Sequence, residues 1–286
     1  MSQENSQTTG LPTLSSSMIW MINFGFLGVQ TAFTLQSSQM SRIFQTIGAD
    51  PNNLGWFFIL PPLAGLIVQP IIGYYSDRTW APKLGGRRLP YLLLGTIVAV
   101  IVMLLLPNSG SFGFGYGSLA ALWFGAITVA FLDLSSNVAM QPFKMMVGDM
   151  VNDDQKSYAY GVQSFLSNTG AVLAAIFPFL LTLMGVANKA PKGVVPQSVI
   201  ISFYVGAALL VITSLFTIFR VHEYDPATYA KYHGISEADN KEGGNWLTLL
   251  RHAPKAFWTV TLVQFFCWFA FQYLWTYSAG AIASNV

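Results

Sequence analysis

Gly117–Met146 reads GSLAALWFGAITVAFLDLSSNVAMQPFKMM, an apolar run interrupted by one acid, Asp133. As a helix, this run is long enough to span about 30 Å of hydrocarbon. At about 100° per residue, Asn137 lies about 40° from Asp133 and Lys144 about 20° from it. An acid, an amide and a cation therefore share one face of an otherwise apolar helix.

The acid Asp133 has two interpretations. Because an acid at the centre of a membrane helix costs about 2.5–3.5 kcal/mol, it normally faces a partner or a water-filled cavity. It either makes a structural hydrogen bond to a neighbouring helix or serves in a transport site or proton relay. We favour the transport role, and the rest of the chain is interpreted around it.

Composition indicates a membrane protein. Only 9% of the 286 residues are charged and 53% are hydrophobic, whereas soluble domains carry about 25% charged residues. The formal net charge is +2, and no basic run is interleaved with aromatic residues, so nucleic acid is not expected as a partner. The single cysteine, Cys267, allows no internal disulfide and suggests no structural metal site.

Seven apolar segments are long enough to cross the lipid bilayer as helices, whereas barrel strands need only about ten residues. The segments are Met18–Gln36, Leu54–Tyr75, Tyr91–Leu106, Gly117–Met146, Tyr158–Met184, Val199–Phe219 and Ala256–Ala283. The predicted fold is an all-α membrane protein.

The segments divide the chain into four parts. Residues 1–17 are polar and lack the basic residues of a cleavable signal, so we expect a disordered cytoplasmic N-terminus. Residues 18–219 are predicted to form a six-helix transmembrane bundle, residues 220–255 a cytoplasmic central loop, and residues 256–286 a seventh transmembrane helix.

The odd number of helices is informative, because secondary transporters are commonly built from paired halves. Six helices, a long loop and a seventh helix match one half and the start of an incomplete C-terminal bundle. We therefore expect a fragment that does not transport alone, and a separately encoded C-terminal half is a candidate partner.

The distribution of cations predicts the orientation. Of the 14 lysines and arginines, three lie on one side of the predicted bundle, and these are Arg42, Lys189 and Lys192. The remainder lie in the loops after even-numbered segments or at the adjacent end of the fourth segment. By the positive-inside rule, the N-terminus and the even loops are cytoplasmic. The expected location is the plasma (inner) membrane, with multiple passes.

The loop between the second and third segments contains GYYSDR at residues 73–78 and GGRRLP at residues 85–90. Pro90 suits the first turn of the third helix. The turn could simply anchor the chain on the positive side of the membrane.

A second interpretation makes this loop a cytoplasmic gate. Gly73 would allow close packing at the end of the second helix, and Asp77 would terminate that helix. Asp77 would then face a cluster of arginines, Arg78, Arg87 and Arg88. Such a latch would break when helix bundles rock against each other.

Four stretches together resemble the major facilitator superfamily. They are GVQ…LQ (28–36), PPLAGLIVQP (61–70), the GYYSDR…GGRRLP loop (73–90) and LDLSSN…QPFK…GD (132–149). Within that superfamily they look like the glycoside–pentoside–hexuronide and sucrose–maltose proton symporters, which include plant sucrose carriers and bacterial maltose permeases. The resemblance implies a major-facilitator-type helical bundle, here its N-terminal six-helix half plus the first helix of the second half.

The resemblance also implies a function, which is proton-coupled symport of a disaccharide, an α-glucoside such as maltose or sucrose, by alternating access. It implies no cofactor, with protons as the coupling ion. Asp133 would be the proton-titrating and sugar-binding carboxylate, with Asn137 on the same face. Lys144 would occupy the position of a sugar-binding arginine; this departure from the family pattern removes the bidentate guanidinium.

A sugar site needs amides, a carboxylate and an aromatic platform inside the membrane. The candidates for lining this cavity are Asn23, Gln30, Gln163, Gln264 and Trp268. Each has a structural alternative, because polar residues also join membrane helices and tryptophan is common at membrane interfaces.

Two further functions stay open at this point. One is a cation-coupled galactoside or glucuronide carrier, and the other is a non-transporting truncated membrane protein. An enzyme is not expected, because the chain has no phosphate-binding glycine loop, helical zinc-ligand pair or nucleophile elbow.

Overall fold

Helices account for the ordered secondary structure of this protein. The computed structural model describes residues 10–49, 68–69, 71–234 and 251–285. Its helices are α1 (Ser16–Thr46), α2 (71–78), α3 (Leu89–Leu105), α4 (Leu119–Met150), α5 (Asp153–Leu183), α6 (Gln197–Arg220), α7 (Pro226–His233) and α8 (Lys255–Asn285). Outside them, these residues include a 3₁₀ helix, Leu106–Phe112, and one isolated antiparallel bridge. The all-α prediction is confirmed.

Five of the described helices are long and apolar enough to cross a membrane. They are α1, α3 with its 3₁₀ extension to Ser109, α4, α5 and α6. Within the described residues of α8, the apolar stretch Lys255–Phe271 is shorter than these five helices. Most of the second predicted segment, Leu54–Tyr75, lies outside the described residues.

The first helix is longer than predicted at both ends. It starts at Ser16 because Ser15 Oγ accepts a hydrogen bond from the Met18 amide at 3.2 Å, which caps the helix. Just before it, the Leu14 backbone donates to and accepts from the Gln155 side chain, at 2.8 Å each. Residues 14–17 therefore depart from the predicted disordered terminus, while residues 1–9 lie outside the described part of the chain.

The far end of α1 continues ten residues beyond the predicted end, Gln36, to Thr46. Ser37, Gln39 and Arg42 make this stretch polar, but Met40 and Phe44 keep a buried face at helical spacing. Burial of that face explains why the helix does not stop where the continuous apolar run stops.

Helix α7 lies inside the predicted central loop. Asp225 Oδ1 accepts hydrogen bonds from the backbone amides of Ala227 and Thr228, at 3.1 Å each, and Pro226 occupies the first helical position. A short capped helix therefore follows α6 directly.

Helix α4 is held by close neighbours on either side. It packs against α3 and α1, and α1 also packs against α5 and α6. At Gly95 of α3, an added Cβ would lie 2.7 Å from the Ala139 amide and 2.8 Å from the Ser135 carbonyl oxygen. The two backbones thus approach closely within two turns of Asp133.

The chain divides into two compact units. Residues Met1–His233, with α1 to α7, form the first, and Gly234–Val286, with α8, form the second. The predicted six-helix bundle, residues 18–219, falls within the first unit. The predicted boundary between loop and seventh helix, at residues 255 and 256, falls within the second.

Candidate functional site

The carboxylate of Asp133 is buried in the middle of α4, with 4% of the residue exposed. Its Oδ2 accepts a hydrogen bond from Asn137 Nδ2, one turn later, at 2.9 Å. Its Oδ1 accepts from Gln36 Nε2 of α1 at 3.5 Å. Two amides therefore stabilise the ionised form of a carboxylate that burial disfavours.

The network extends from Asp133 towards α2. Gln69, which is itself helical, donates from Nε2 to Asn137 Oδ1 at 2.7 Å. Gln141 of α4 donates in turn from Nε2 to Gln69 Oε1 at 3.4 Å. Gln141 lies on the same face of α4 as Asp133, and this spacing was the available signal; Gln69 and Gln36 lie on other elements, so spacing within one helix could not reveal them.

Lys144 is exposed and lies eleven residues beyond Asp133 on α4. At 1.5 Å per residue the two are about 16 Å apart along the helix axis, although they share a face. Neither an ion pair nor a hydrogen bond joins Lys144 to any described residue. The structure therefore does not bring this cation to the acid.

Two of the cavity candidates join helices. Gln163 Nε2 of α5 donates to Asn23 Oδ1 of α1 at 2.9 Å and to the Phe143 carbonyl oxygen of α4 at 3.2 Å. Asn23 is fully buried and donates to the carbonyl oxygens of Ile19 and Ala159. This geometry favours the structural alternative for both residues, and a role in substrate binding stays a prediction.

The other candidates are placed differently. Gln30 of α1 is half-buried, and its amide forms no hydrogen bond with a described residue. It is therefore available to a ligand. Gln264 and Trp268 lie on α8, in the second compact unit.

The predicted cytoplasmic gate contains a cluster of ion pairs. Arg88, with 2% of its side chain exposed, contacts Asp77 Oδ1 at 2.5 Å and Asp149 Oδ2 at 3.0 Å through Nη2. Its Nη1 donates to Ser76 Oγ. Arg87 contacts Asp149 Oδ2 at 2.9 Å. We call these five residues the cytoplasmic cluster, after the side of the membrane on which the sequence predicts them.

Two predicted gate residues lie outside the cytoplasmic cluster. Arg78 is exposed; it donates to the Tyr74 carbonyl oxygen at 3.1 Å and stacks 3.6 Å above the ring of Tyr74. An added Cβ on Gly73 would lie 3.6 Å from Met145 Cε, an ordinary van der Waals distance. Packing against the described residues therefore does not require glycine at position 73, contrary to the sequence-based expectation.

Residues 17–283 match the family described as MFS/sugar transport protein. The chain belongs to this family. It is 24% identical over 261 residues to sucrose transport protein SUC4 of Arabidopsis thaliana, covering 84% of this chain and 49% of the relative. It is 26% identical over 279 residues to SUT5 of Oryza sativa subsp. indica, covering 85% and 49%. The chain spans about half the length of these curated relatives. The predicted family resemblance is confirmed.

In this member of the family, the sequence pattern did not reveal that Asp149 completes the cytoplasmic cluster. Asp149 lies at the end of α4, and the arginines lie at the start of α3. Because consecutive membrane helices run in opposite directions, those two helix ends meet on one side of the membrane. That topology was the signal that could have identified it.

A second acid, Glu223, stabilises the start of α3. Its Oε1 accepts hydrogen bonds from the backbone amides of Arg88 and Leu89, at 2.8 and 3.1 Å. Burial raises the pKa of Glu223, and the two amide hydrogen bonds oppose that shift. The available signal was the lack of a capping side chain at Arg88, which leaves free amides that need an acceptor.

Helix α7 covers the cytoplasmic cluster. The Arg87 guanidinium lies 3.7 Å above the ring of Tyr229, whose hydroxyl donates to Asp149 Oδ1 at 3.4 Å. The ring of His233 hydrogen-bonds through Nε2 with the Asp149 carbonyl oxygen at 3.1 Å. The segment after α6 is thus docked on the ends of α3 and α4.

Proposed function

We propose that this chain forms part of a proton-coupled symporter for a disaccharide, an α-glucoside such as sucrose or maltose. The observation that carries the proposal is the environment of Asp133. Its described partners are two amides, Gln36 and Asn137, and no described cation pairs with it. A buried carboxylate without a cation becomes neutral by binding a proton, which is the event that a proton-coupled carrier needs. The family and the names of the sucrose transport relatives support the sugar.

The proposed cycle has one titrating group. Proton binding from outside neutralises Asp133, and the carrier closes over the sugar. After the helix bundles rock, proton release to the more alkaline cytoplasm restores the charge and weakens sugar binding. Gln30 and Lys144, both accessible on the first unit, would contact sugar hydroxyls, and Gln264 and Trp268 of α8 stay predicted sugar contacts.

A second helix bundle is part of the proposal. Alternating access moves two halves around a central site, and the chain covers about half of its relatives. We propose a C-terminal half, separately encoded or continuous with this chain, as its partner. The proposed location is the plasma membrane with a cytoplasmic N-terminus. Support comes from the cationic loops and from the arginines of the cytoplasmic cluster.

Uptake of radiolabelled sucrose and maltose tests the proposal. Cells would make the chain with and without the missing downstream segment, each with and without a protonophore. We expect protonophore-sensitive accumulation when the segment is supplied, and its loss in Asp133→Asn. Asp154→Asn, the same change at an exposed position of α5, is the matched control and should accumulate sugar normally.

Three outcomes would count against this function. Undiminished accumulation by Asp133→Asn would remove the role of Asp133. Accumulation that depends on sodium and resists the protonophore would favour the cation-coupled alternative. No uptake in either arm, with the protein shown to be in the membrane, would remove the support for sugar symport.

A further inference from the structure

The amides that connect Asp133 to Gln141 form a chain with one direction. Gln141 donates to Gln69, Gln69 donates to Asn137, and Asn137 donates to the Asp133 carboxylate. Every NH₂ group points towards the acid and every amide oxygen points away from it. This series of hydrogen bonds crosses from Gln141 of α4 to Gln69 and back to Asn137 of α4.

An ionised carboxylate requires that direction. Because it can only accept, Asn137 must turn its NH₂ to Asp133 and its oxygen to Gln69. Gln69 must then donate to Asn137, which leaves its own oxygen to accept from Gln141. In this arrangement no described residue donates to the side-chain oxygen of Gln141, Oε1. That oxygen is therefore the hydrogen-bonding group that Gln141 offers to its surroundings.

A protonated carboxyl permits the opposite direction. Its O–H can donate to Asn137 Oδ1, and turning each amide about its last bond lets Asn137 donate to Gln69 and Gln69 donate to Gln141. Gln36 can keep donating to the other oxygen of Asp133. Turning the Asn137 amide breaks the 2.9 Å hydrogen bond from Asn137 Nδ2 to the backbone carbonyl oxygen of Asp133. The amides therefore turn back to their original orientation when the proton leaves.

We propose that protonation of Asp133 reverses this chain of amide hydrogen bonds, so that Gln141 changes from offering an acceptor to offering a donor to the sugar. Gln69 is then a positioning residue, and Gln141 determines the sugar contact that depends on the proton. The inference rests on the proposed function, because it assumes that Asp133 takes up the coupling proton. It adds a route by which that proton alters recognition at Gln141, about two turns away along α4.

Among the described residues, no charged side chain takes the place of the amides as a partner of Asp133. The charged residues on the elements that pack around α4 are Arg42 of α1, Asp77 and Arg78 of α2, Asp153, Asp154 and Lys156 of α5, and Lys144 and Asp149 of α4 itself. The helix α3 carries none. Hydrogen bonds and ion pairs among the described residues join none of them to Asp133, whose described side-chain partners are amides.

The test is a pH titration of the purified 286-residue chain in detergent micelles. The infrared carbonyl band of a protonated carboxyl reports Asp133 and is assigned by its loss in Asp133→Asn. Gln69→Met, Gln141→Met and the double variant are compared with wild type. Gln45→Met is the matched control, because the Gln45 side chain is exposed and its hydrogen-bond partner among the described residues is Ser41 of the same helix.

Gln69→Met should move the midpoint of the Asp133 titration to higher pH by about half a pH unit. This is the size expected when one hydrogen bond that favours the ionised carboxylate is lost. Gln141→Met should move it less, in the same direction. The double variant should match Gln69→Met alone, because removing Gln69 already disconnects Gln141. Gln45→Met should leave the midpoint unchanged.

The readout separates a relay from a merely structural role. The proposed reversal of the amide hydrogen bonds would be overturned by either of two results. One is a midpoint shift in the double variant that equals the sum of the two single shifts, and the other is an unchanged midpoint in Gln69→Met. Circular dichroism and gel filtration check that each variant is folded. If Gln69→Met does not fold, the comparison of Gln141→Met with wild type still tests the proposal, because among the described residues Gln69 is the one that links Gln141 to Asn137 and Asp133.

Sucrose tests the sugar end of the chain. Because binding linkage is reciprocal, a sugar that uses the Gln141 donor favours protonated Asp133. In wild type purified together with the missing downstream segment, added sucrose should therefore raise the midpoint of the Asp133 titration, and in Gln141→Met prepared in the same way it should not. Equal effects in both, or none in either, would overturn the link to sugar. If no carboxyl band depends on Asp133, the proton site of the proposed function fails. If the Asp133 band titrates with the same midpoint in Gln69→Met as in wild type, only the reversal of the amide hydrogen bonds is contradicted, and the proposed function is not.

Discussion

Glu223 stabilises a helix to which it does not belong. Its oxygen satisfies the first free amides of α3, as a capping residue at that helix start would. Glu223→Ala removes the acceptor and should cost about 1–2 kcal/mol of stability. Glu223→Gln keeps an oxygen at the same place and should cost less. Thermal unfolding in detergent would measure both, and equal losses in the two variants would contradict the capping role.

The same residue predicts a pH dependence. Because burial raises the pKa of Glu223 above its ordinary 4.5, the folded state holds this proton more tightly than the unfolded state. Its contribution to stability is complete below about pH 4.5 and is lost as the pH rises through the raised pKa. Glu223→Gln cannot lose a proton there. The unfolding temperature of the variant minus that of wild type should therefore increase with pH above 4.5; a constant difference would refute this assignment.

Single residues differ in how well sequence reveals them. Asp133 and Arg88 could be predicted, since a charge in or beside an apolar run needs a physical reason. Their partners could not, because Glu223 is 135 residues from Arg88 and Gln36 is 97 residues from Asp133. Only the packing of helices brings these pairs together.

At the scale of elements, the closeness of helices depends on glycine. An added Cβ on Gly28 of α1 would lie 2.7 Å from Leu210 Cα of α6, a backbone atom that cannot turn away. Gly28→Ala should therefore push these helices apart and destabilise the bundle by about 1–3 kcal/mol.

The chain supplies a control for this prediction. An added Cβ on Gly161 of α5 would meet nothing within 4 Å, so Gly161→Ala should stabilise its helix by about 0.5–1 kcal/mol. Denaturant or thermal unfolding of both variants in detergent gives the comparison. If Gly28→Ala unfolds under the same conditions as wild type, α1 and α6 can move apart without a loss of stability, and the prediction is wrong.

Element type was predictable and element length was not. Apolar length indicated the five described membrane-spanning helices, but the end of α1 follows a buried stripe rather than a continuous run. The capped start of α7, Asp225 followed by Pro226, is a readable signal. It was obscured by the charged loop around it, in which helical periodicity is weak.

At the scale of the molecule, the orientation can be tested directly. Cys267 is exposed, so single-cysteine variants need a Cys267→Ser background. In intact cells, a membrane-impermeant maleimide should label Lys192→Cys and should label Lys83→Cys only after lysis, because the positive-inside rule places Lys83 in the cytoplasm. Both positions are exposed. The reverse pattern would invert the proposed topology.

The spacing of the cytoplasmic cluster along the chain has a consequence for biogenesis. Arg88 leaves the ribosome 61 residues before Asp149 and 135 residues before Glu223. Until the fourth helix is inserted, the guanidinium lacks Asp149, and until the sixth is inserted, the start of the third helix lacks its cap. This junction can therefore be complete only after residues 88–223 have all been synthesised, and a chain stopped before Glu223 would leave the start of the third helix without its cap.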